Sequence, residues 1–267
     1  MTACAAAPFV IGACQIGESH QASGAPCQDA YAWAEVRRDL LVIAVADGVG
    51  AAHRSDEGAA IVVEAAVNGA LTACAGEWAP DDLAGLLRRS AIAARAALER
   101  HAEDLDVSLS DLASTLVLVA VSGSSVCAAQ VGDGAVVAET GEGLTLVSGP
   151  DHGEYINDVI PLTSGSWLDA FRVSPVRDAV RAIAVFTDGC ERAALRRDPS
   201  TSRDLIPHQG FFRPLFEFGR SAIAEDAEGE LRGLLASSKM AESSDDDKTL
   251  IVAILEPVVD RPGVVRA

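Results

Sequence analysis

The stretch LLVIAVADG at residues 40–48 is an apolar run that ends in an aspartate followed directly by a glycine. The same pattern recurs in CAAQVGDG at residues 127–134 and in AIAVFTDG at residues 182–189. A further acidic group, residues 245–247, leads into the apolar run at residues 250–255. Runs of this kind are typical of buried strands. If their ends converge, the four stretches predict a shared acidic site on one rim of a sheet.

Carboxylates gathered in this way repel one another unless a cation neutralises them. Hard divalent ions such as Mg²⁺ and Mn²⁺ prefer oxygen ligands, and a glycine beside each aspartate lets the backbone approach an ion closely. The pattern therefore favours a metal site built from carboxylates. A second interpretation stays open, because Asp-Gly is also a common hairpin turn in which both residues tolerate positive φ.

The composition is that of a compact, acidic protein. The chain has 267 residues, of which 49% are hydrophobic and 22% charged, and its formal net charge is −18. So acidic a surface argues against nucleic acid or an anionic membrane as a partner. No run approaches the ~20 apolar residues of a membrane span. A phosphate-bearing substrate would need a local positive centre, which bound metal ions could supply.

The N-terminus and the cysteines indicate a cytoplasmic protein. The first seven residues, MTACAAA, have neither the basic region nor the long apolar stretch of a signal peptide. The six cysteines show no CxxC or zinc-like spacing, which is typical of small core residues in a reduced protein. Cys27 and Cys190 lie next to the predicted site without an adjacent histidine, so a cysteine nucleophile is disfavoured.

The order of predicted elements indicates the fold class. Strands are followed by two helices, more strands, two further helices and a final strand, which does not fit repeating βαβ units. We predict an α+β fold, a four-layer sandwich in which two central antiparallel β-sheets are flanked by pairs of α-helices. We expect residues 1–257 to form a single domain and residues 258–267 a short C-terminal tail.

Several local predictions accompany this fold. Residues 17–26 are expected to form a polar loop, and the first long helix is expected near residues 56–74 with Ser55 as its N-cap. The second long helix is predicted to be capped by Asp81. Residues 167–173, which are rich in large apolar side chains, are predicted to form a strand.

Seven motifs in order, along about residues 9–256, resemble those of the metal-dependent serine/threonine protein phosphatases, also called type 2C, and in particular their bacterial branch. Each motif alone is weak evidence, whereas the ordered set is specific. The motifs are CQDAY at residues 27–31, VADGVG at 45–50, STLV at 114–117, VGDG at 131–134, Asp151-His152, FTDG at 186–189 and DDKT at 246–249.

The resemblance implies a site for two Mn²⁺ or Mg²⁺ ions. Asp47 would bridge the two ions, and the carbonyl of Gly48 would ligate one of them. Asp29 would belong to the same metal site and hold metal-bound water. These roles imply that Asp29 and Asp47 are catalytic residues.

The remaining implied ligands come from the later motifs. Asp188 and Asp246 would complete the shell of the other ion and are likewise implied to be catalytic. Asp246 is preferred to Asp247 because it lies three residues before Thr249, as in the family's pattern. Asp133, together with Asp188, would form a third and weaker metal site.

The implied activity is hydrolysis of phosphoserine and phosphothreonine in proteins, as part of bacterial signalling. Two divalent ions can lower the pKa of a bridging water and stabilise the attacking and leaving oxygens. Uncatalysed hydrolysis of phosphate monoesters is among the slowest reactions known, so this stabilisation acts on a high barrier. No covalent intermediate is required. The expected partners are a phosphorylated protein substrate and a cognate serine/threonine kinase, and the protein is expected to be a monomer.

Three positions depart from the family's pattern. Gly134 stands where the family usually has serine, and Asp247 stands where it usually has asparagine. The family usually places an arginine five residues before Asp29, where its guanidinium grips the substrate phosphate, and this chain has Gly24 there. His20 is the potentially cationic side chain of this loop, and Arg54 or His53 after the central motif could substitute. We predict that His20 and Arg54 bind the substrate.

Two alternatives to an active protein phosphatase remain. Loss of the arginine's bidentate grip would raise KM or disturb substrate orientation, which is compatible with a weakly active or inactive relative that binds phosphoproteins. The metal site alone is also compatible with a hydrolase of small phosphoesters.

Overall fold

The computed structural model describes residues 8–37, 39–50, 52–76, 79, 82–150, 159–201 and 204–256. Twelve strands lie within these ranges. They are β1 (Phe9–Gln15), β2 (Asp29–Arg37), β3 (Leu40–Asp47), β4 (Leu116–Ser122), β5 (Ser125–Val131), β6 (Ala135–Thr140), β7 (Gly143–Ser148), β8 (Arg172–Val176), β9 (Val180–Phe186), β10 (Leu195–Arg197), β11 (Leu205–Pro207) and β12 (Lys248–Ile254).

Ten of these strands form two five-stranded antiparallel sheets. One sheet has the order β2-β3-β4-β5-β8 and the other the order β1-β12-β9-β6-β7, while β10 and β11 form a separate pair. Strand β1 pairs with β12, so that Phe9 lies opposite Ile254 and the two ends of the described chain meet in one sheet. The predicted pair of antiparallel sheets is therefore confirmed.

Helices cover the outer face of each sheet. The pair α2 and α3 packs on the β2-β3-β4-β5-β8 sheet, and α6 and α7 pack on the other. The α-helices of the described residues are α1 (Glu18–Ser23), α2 (Ser55–Ala75), α3 (Leu83–Leu105), α4 (Trp167–Ala170), α5 (Glu191–Ala194), α6 (Gln209–Ser221), α7 (Ala224–Leu235) and α8 (Ser238–Ala241), and two short 3-10 helices span Leu109–Leu112 and Asp188–Cys190.

Three apolar cores hold these layers together. The middle core lies between the two sheets and includes Ile43, Val119, Ile183 and Ile251, all fully buried. Each outer core lies between one sheet and its helices. Burial of each such side chain contributes about 1.5–3 kcal/mol relative to exposure. Helices, sheet, sheet and helices make up four layers, so the predicted sandwich is confirmed.

Helix α2 is a core helix despite its apolar composition. By length and mean hydropathy alone it is the described helix that could cross a membrane. Its side chains instead pack against α3 and against strands β2 and β3. Ala59, Ala66 and Ala70 are fully buried there, and their small side chains let the helices and the sheet approach closely.

The predicted loop at residues 17–26 was wrong, because these residues include α1. Gly24 adopts the left-handed conformation, with φ of 73°, and ends the helix. The backbone N–H of Ser19 donates to the carbonyl of Asp245 at 3.1 Å. Helix α1 buries none of its residues, so it has no hydrophobic periodicity to reveal it, and tertiary contacts fix its position.

The predicted strand at residues 167–173 was also wrong. Its first half is α4, and β8 begins only at Arg172. Trp167 and Phe171 are four residues apart, which places them on one side of a helical turn. Their rings pack edge to face, with centroids 6.0 Å apart. Burial of this aromatic pair therefore outweighs the strand preference of the individual residues.

The predicted helix caps need correction. Ser55 is the first residue of α2 and is not its cap, since Arg54 precedes the helix without a side-chain capping bond. Asp82 caps α3 by accepting a hydrogen bond from the backbone N–H of Gly85 at 2.8 Å. The predicted cap Asp81 and the predicted tail at residues 258–267 lie outside the described residues.

Candidate metal centre

Asp29 and Asp47 lie side by side at one end of the β2-β3 pair. Asp29 is the first residue of β2, Asp47 is the last residue of β3, and the two are register partners. Strand β3 is buried along its whole length up to Asp47. Paired residues of adjacent strands project from the same face of a sheet. The register therefore brings two carboxylates together where the chain leaves the core.

Three more aspartates reach the same place from other elements. Asp188 follows β9, Asp246 precedes β12, and Asp133 lies in the turn between β5 and β6. Asp47 interacts electrostatically with Asp29, Asp188 and Asp133, and Asp246 interacts with Asp133 and Asp188. Both sheets thus contribute to one group. The carboxylate cluster consists of Asp29, Asp47, Asp133, Asp188 and Asp246.

Asp29 is the cluster member that links the two sheets. Its side chain is buried, and burial, followed by the charge of Cys14, raises its pKa to about 8. The hydroxyl of Thr187 donates a hydrogen bond to Asp29 Oδ2 at 2.8 Å. That hydroxyl oxygen in turn accepts the backbone N–H of Thr249 at 3.0 Å. Asp29 of one sheet is therefore held by residues at the ends of β9 and β12 in the other.

The other cluster members also show the effect of burial and like charge. Burial, followed by the charges of Asp133 and Asp246, raises the pKa of Asp188 to about 7. Burial raises the pKa of Asp47 well above its usual range, with the charges of Asp29 and Asp188 as the next causes. The pKa of Asp133 is raised as well, again first by burial. The ionised cluster is therefore unfavourable without a neutralising charge.

The oxygens of the cluster suit a hard divalent cation. Asp29 Oδ1 and Asp133 Oδ1 are buried and have no hydrogen-bond partner among the described residues. Among the residues that the structure describes, no lysine, arginine or histidine forms an ion pair with a member of the carboxylate cluster. Carboxylate oxygens without donors are the ligands that Mg²⁺ and Mn²⁺ prefer. The residues present therefore fit such ions.

The backbone around Asp47 is braced by the start of β4. The N–H of Asp47 donates to Thr115 Oγ1 at 2.9 Å, and the N–H of Thr115 donates to the carbonyl of Asp47 at 2.8 Å. Gly48 forms an isolated antiparallel bridge with Ser114. The small hydroxyl residues of the STLV motif thus fix the backbone at Asp47 and Gly48. The carbonyl of Gly48 as a ligand stays a prediction.

Sequence reasoning missed the structural role of Asp247. Its side chain is 1% exposed, and its carboxylate accepts the backbone N–H of Gly17 at 2.7 Å and that of Gln28 at 2.5 Å. Asp247 Oδ2 also lies 2.9 Å from His20 Nδ1. Asp247 therefore holds both ends of the segment at residues 16–28. The sequence carries only a slight signal for this role, because the family that the motifs resemble usually has asparagine at the position of Asp247.

Asp246 is placed differently from its neighbour. It interacts with Asp133 and Asp188 of the cluster, while both oxygens of Asp247 are engaged by backbone N–H groups. A ring nitrogen of His20 and one oxygen each of Asp246 and Asp247 lie within 4.8 Å of one another. This arrangement agrees with the preference for Asp246, although its role as a ligand stays a prediction.

Gly189 is required by a close backbone approach. A Cβ atom at this position would lie 1.9 Å from the carbonyl oxygen of Asp247. Only glycine leaves room for that contact. The Asp-Gly pair at the end of β9 therefore serves packing between the segments that carry Asp188 and Asp246, and it is not a hairpin turn.

Gln130 braces the turn that carries Asp133. Its side chain is fully buried, and its Nε2 donates to the carbonyls of Gly132, Gly134 and Gly149 at 3.0–3.1 Å. Three carbonyl acceptors around one amide fix the course of the backbone on both sides of Asp133. No sequence motif pointed to this glutamine.

His20 and Arg54, the two predicted substrate-binding residues, lie in different structural environments. His20 is on α1, which ends at Gly24, the position where the family usually has arginine. Arg54 Nη1 donates to both carboxylate oxygens of Glu57, at 2.8 and 3.0 Å. Substrate binding by either residue stays a prediction. The Asp151-His152 motif lies outside the described residues.

Comparison with known proteins connects this chain to one family. The sequence model described as protein phosphatase 2C matches residues 16–236. Serine/threonine-protein phosphatase 3 of Escherichia coli (strain K12) is 32% identical over 253 residues, which are 92% of this chain and 97% of that protein.

Solved structures share the fold at low sequence identity. A bacterial serine phosphatase aligns with a TM-score of 0.66 and 14% identity, over 92% of this chain and 97% of that one. RsbX in complex with magnesium aligns with a TM-score of 0.55 and 14% identity, over 93% of this chain and 96% of that one.

A divalent cation should stabilise the protein through the cluster. At about 100 times its Kd, Mn²⁺ should add about 2.7 kcal/mol to the free energy of unfolding, which raises Tm by about 5–10 °C for a chain of this size. Asp47→Asn should melt at a higher temperature than wild type without metal, because it removes like charge, and should lose most of the Mn²⁺ effect. Thermal unfolding with EDTA or Mn²⁺ tests this. The exposed Asp104→Asn is the matched control, and equal Mn²⁺ shifts in the two variants would contradict the assignment.

Asn substitutions should separate the roles of Asp246 and Asp247. Asp247→Asn should lower the free energy of unfolding by about 2 kcal/mol, because an amide cannot replace a carboxylate that accepts two backbone N–H groups. Asp246→Asn should leave the metal-free stability unchanged or higher. Urea unfolding of both variants in EDTA measures the difference. A larger loss in Asp246→Asn would refute the proposed division of roles.

Proposed function

Because the chain belongs to the protein phosphatase 2C family, we propose that it hydrolyses phosphoserine and phosphothreonine in proteins with divalent cations held by the carboxylate cluster. The observation that carries this proposal is the meeting of five aspartates from two sheets. Burial raises the pKa of Asp29, Asp47, Asp133 and Asp188, and Asp29 and Asp133 each have a buried oxygen without a donor among the described residues. The name of the Escherichia coli relative supports the substrate class.

Two Mn²⁺ or Mg²⁺ ions are the proposed cofactors. Asp47 would hold both ions, with the Gly48 carbonyl on one and with Asp188 and Asp246 on the other. Asp133 would join Asp188 in a third, weaker site. When bound, the ions would supply the positive charge that activates water and stabilises the transferring phosphoryl group. The magnesium named for the related RsbX structure supports a divalent ion.

Asp29 is the residue proposed to orient the attacking water. Thr187 occupies Asp29 Oδ2, whereas Asp29 Oδ1 has no partner among the described residues. Asp29 Oδ1 is therefore the atom that can accept a hydrogen bond from water beside the other carboxylates. A fixed acceptor of this kind lowers the barrier by holding the nucleophile in an attacking geometry.

Direct attack by water, without a covalent intermediate, agrees with the placement of the Cys190 thiol. Cys190 lies two residues after Asp188 and is fully buried. Its thiol contacts the carbonyl of Thr249 at 3.8 Å, and burial raises its pKa far above that of a free thiol. A buried, protonated thiol is a poor nucleophile. Cys190 therefore serves packing.

His20 and Arg54 are the residues proposed to bind the substrate phosphate in place of the missing arginine. His20 Nδ1 lies 2.9 Å from Asp247 Oδ2 without forming a hydrogen bond among the described residues, and these residues provide no partner for Nε2. The imidazole therefore has a ring nitrogen available for a phosphate oxygen. Arg54 is held by Glu57 at the start of α2, so its contribution should be smaller than that of His20.

The proposed setting is cytoplasmic. We propose a single domain over residues 1–257, a monomer, with a phosphorylated protein as substrate and a serine/threonine kinase as the cognate partner. The net charge of −18 supports the exclusion of nucleic acid and anionic membranes as partners. The pairing of β1 with β12 supports one domain, since it joins distant parts of the chain.

Release of phosphate from a phosphothreonine peptide tests the activity. We expect turnover with millimolar Mn²⁺, none with EDTA, and none in Asp188→Asn, because that variant loses a ligand of the proposed second ion. Asp104→Asn should retain wild-type turnover. Hydrolysis of a small aryl phosphate without turnover of the peptide would instead indicate a phosphatase of small phosphoesters. Mn²⁺ binding by calorimetry without any turnover would indicate a phosphoprotein-binding relative.

Kinetics of His20→Ala test the phosphate contact. We expect KM to rise about tenfold with a smaller fall in kcat, because a charge-assisted contact to the bound phosphate is lost. Arg54→Ala should raise KM less, and Arg213→Ala, at an exposed position of α6, serves as the control. If KM is unaltered in His20→Ala, His20 does not contact the phosphate.

A further inference from the structure

Two cysteine thiols meet beside the carboxylate cluster. Cys14 lies in β1, Cys27 lies two residues before Asp29, and their sulfur atoms are 2.9 Å apart. Each sulfur also lies 3.9 Å from the backbone carbonyl oxygen of Asp29. Both residues are partly exposed. The proposed function uses neither thiol, so their close contact calls for a separate explanation.

The geometry brings the two sulfurs close to bonding distance. A disulfide has an S–S distance of about 2.05 Å, so the sulfurs would need to approach by about 0.9 Å. Cys14 is held by its pairing with Thr249 of β12. Cys27 precedes Gln28, whose N–H is fixed by Asp247. Both thiols are therefore presented to each other by anchored backbone.

The other cysteines of the described residues lack this arrangement. Cys74, Cys127 and Cys190 are at most 3% exposed. The sulfurs of Cys127 and Cys190 contact backbone carbonyl oxygens. Peroxides react with accessible thiols in preference to buried ones. Cys14 and Cys27 are thus the pair in this part of the chain that is both partly exposed and within reach of a second sulfur.

We propose that Cys14 and Cys27 form a reversible disulfide on exposure to hydrogen peroxide, and that this disulfide lowers the activity of the site. Peroxide oxidises one thiol to a sulfenic acid and releases one water. The second thiol then displaces the sulfenic oxygen as a second water, which leaves the S–S bond. Two thiol protons and two electrons are consumed per peroxide. A dithiol reductant reverses the reaction by exchange.

The effect on activity follows from the position of the bond and rests on the proposed function. The segment between the two cysteines contains α1 and His20, and Cys27 is joined through Gln28 to Asp29. Shortening the sulfur separation pulls the start of β2 towards β1. The displaced groups include the Gln28 N–H that bonds Asp247 and the carboxyl of Asp29. Displacements of about 1 Å can reduce turnover by up to ~100-fold.

The test treats the full-length, Mg²⁺-loaded protein with hydrogen peroxide, removes the peroxide with catalase, and divides the sample. Peptide mass mapping under non-reducing conditions should show a Cys14–Cys27 linkage that dithiothreitol removes. Turnover of the phosphothreonine peptide should fall about tenfold and recover with dithiothreitol. Cys14→Ser and Cys27→Ser, each compared with its own untreated sample, should show neither linkage nor loss.

Matched controls fix the assignment. Cys127→Ser and Cys4→Ser should behave as wild type, which excludes a buried thiol and the N-terminal thiol as partners. Absence of a Cys14–Cys27 linked peptide, or a linkage to another cysteine, overturns the proposal. Formation of the linkage with unchanged turnover overturns its regulatory part. Because the linkage is measured by mass, failure of the proposed phosphatase activity cannot be mistaken for failure of the disulfide.

Discussion

Mutual repulsion among five carboxylates that meet at one site is the constraint on which this structure depends. Burial, followed by the charge of Cys14, raises the pKa of Asp29 to about 8, and burial, followed by the charges of Asp133 and Asp246, raises that of Asp188 to about 7. The scaffold therefore holds these groups where their ionised forms are disfavoured. The three apolar cores must offset that cost, since they fix the strand ends that carry the aspartates. A bound divalent cation would remove the repulsion and would let the same geometry stabilise the fold.

The chain positions its aspartates with neutral donors and backbone contacts. Thr187 donates a hydroxyl to Asp29, Thr115 braces the backbone of Asp47, and Gln130 fixes the turn around Asp133. A lysine or arginine in any of these places would neutralise the cluster and compete with a metal ion. The bracing groups thus fix geometry while leaving the negative charge available for cations.

The apolar strands ending in aspartate and glycine made the acidic site predictable, because burial periodicity and charge can be read from neighbouring residues. The same signals predicted four layers. The sequence did not reveal α1, which buries no residue, or the helical turn formed by Trp167 and Phe171. It also did not reveal Asp247 as a brace, since its partner Gly17 lies 230 residues away. Contacts of that range depend on sheet register, which local patterns do not specify.

The segment between Cys14 and Asp29 couples three features that the sequence presents separately. Gly24 replaces an arginine and ends α1, and α1 in turn carries His20 to Asp247. The same carboxylate fixes Gln28, directly before Asp29. A change that moves this segment must therefore alter the proposed phosphate contact and the carboxylate cluster together. Gly24 therefore does more than remove a phosphate-binding arginine. It also ends α1, the helix that places His20 beside Asp247.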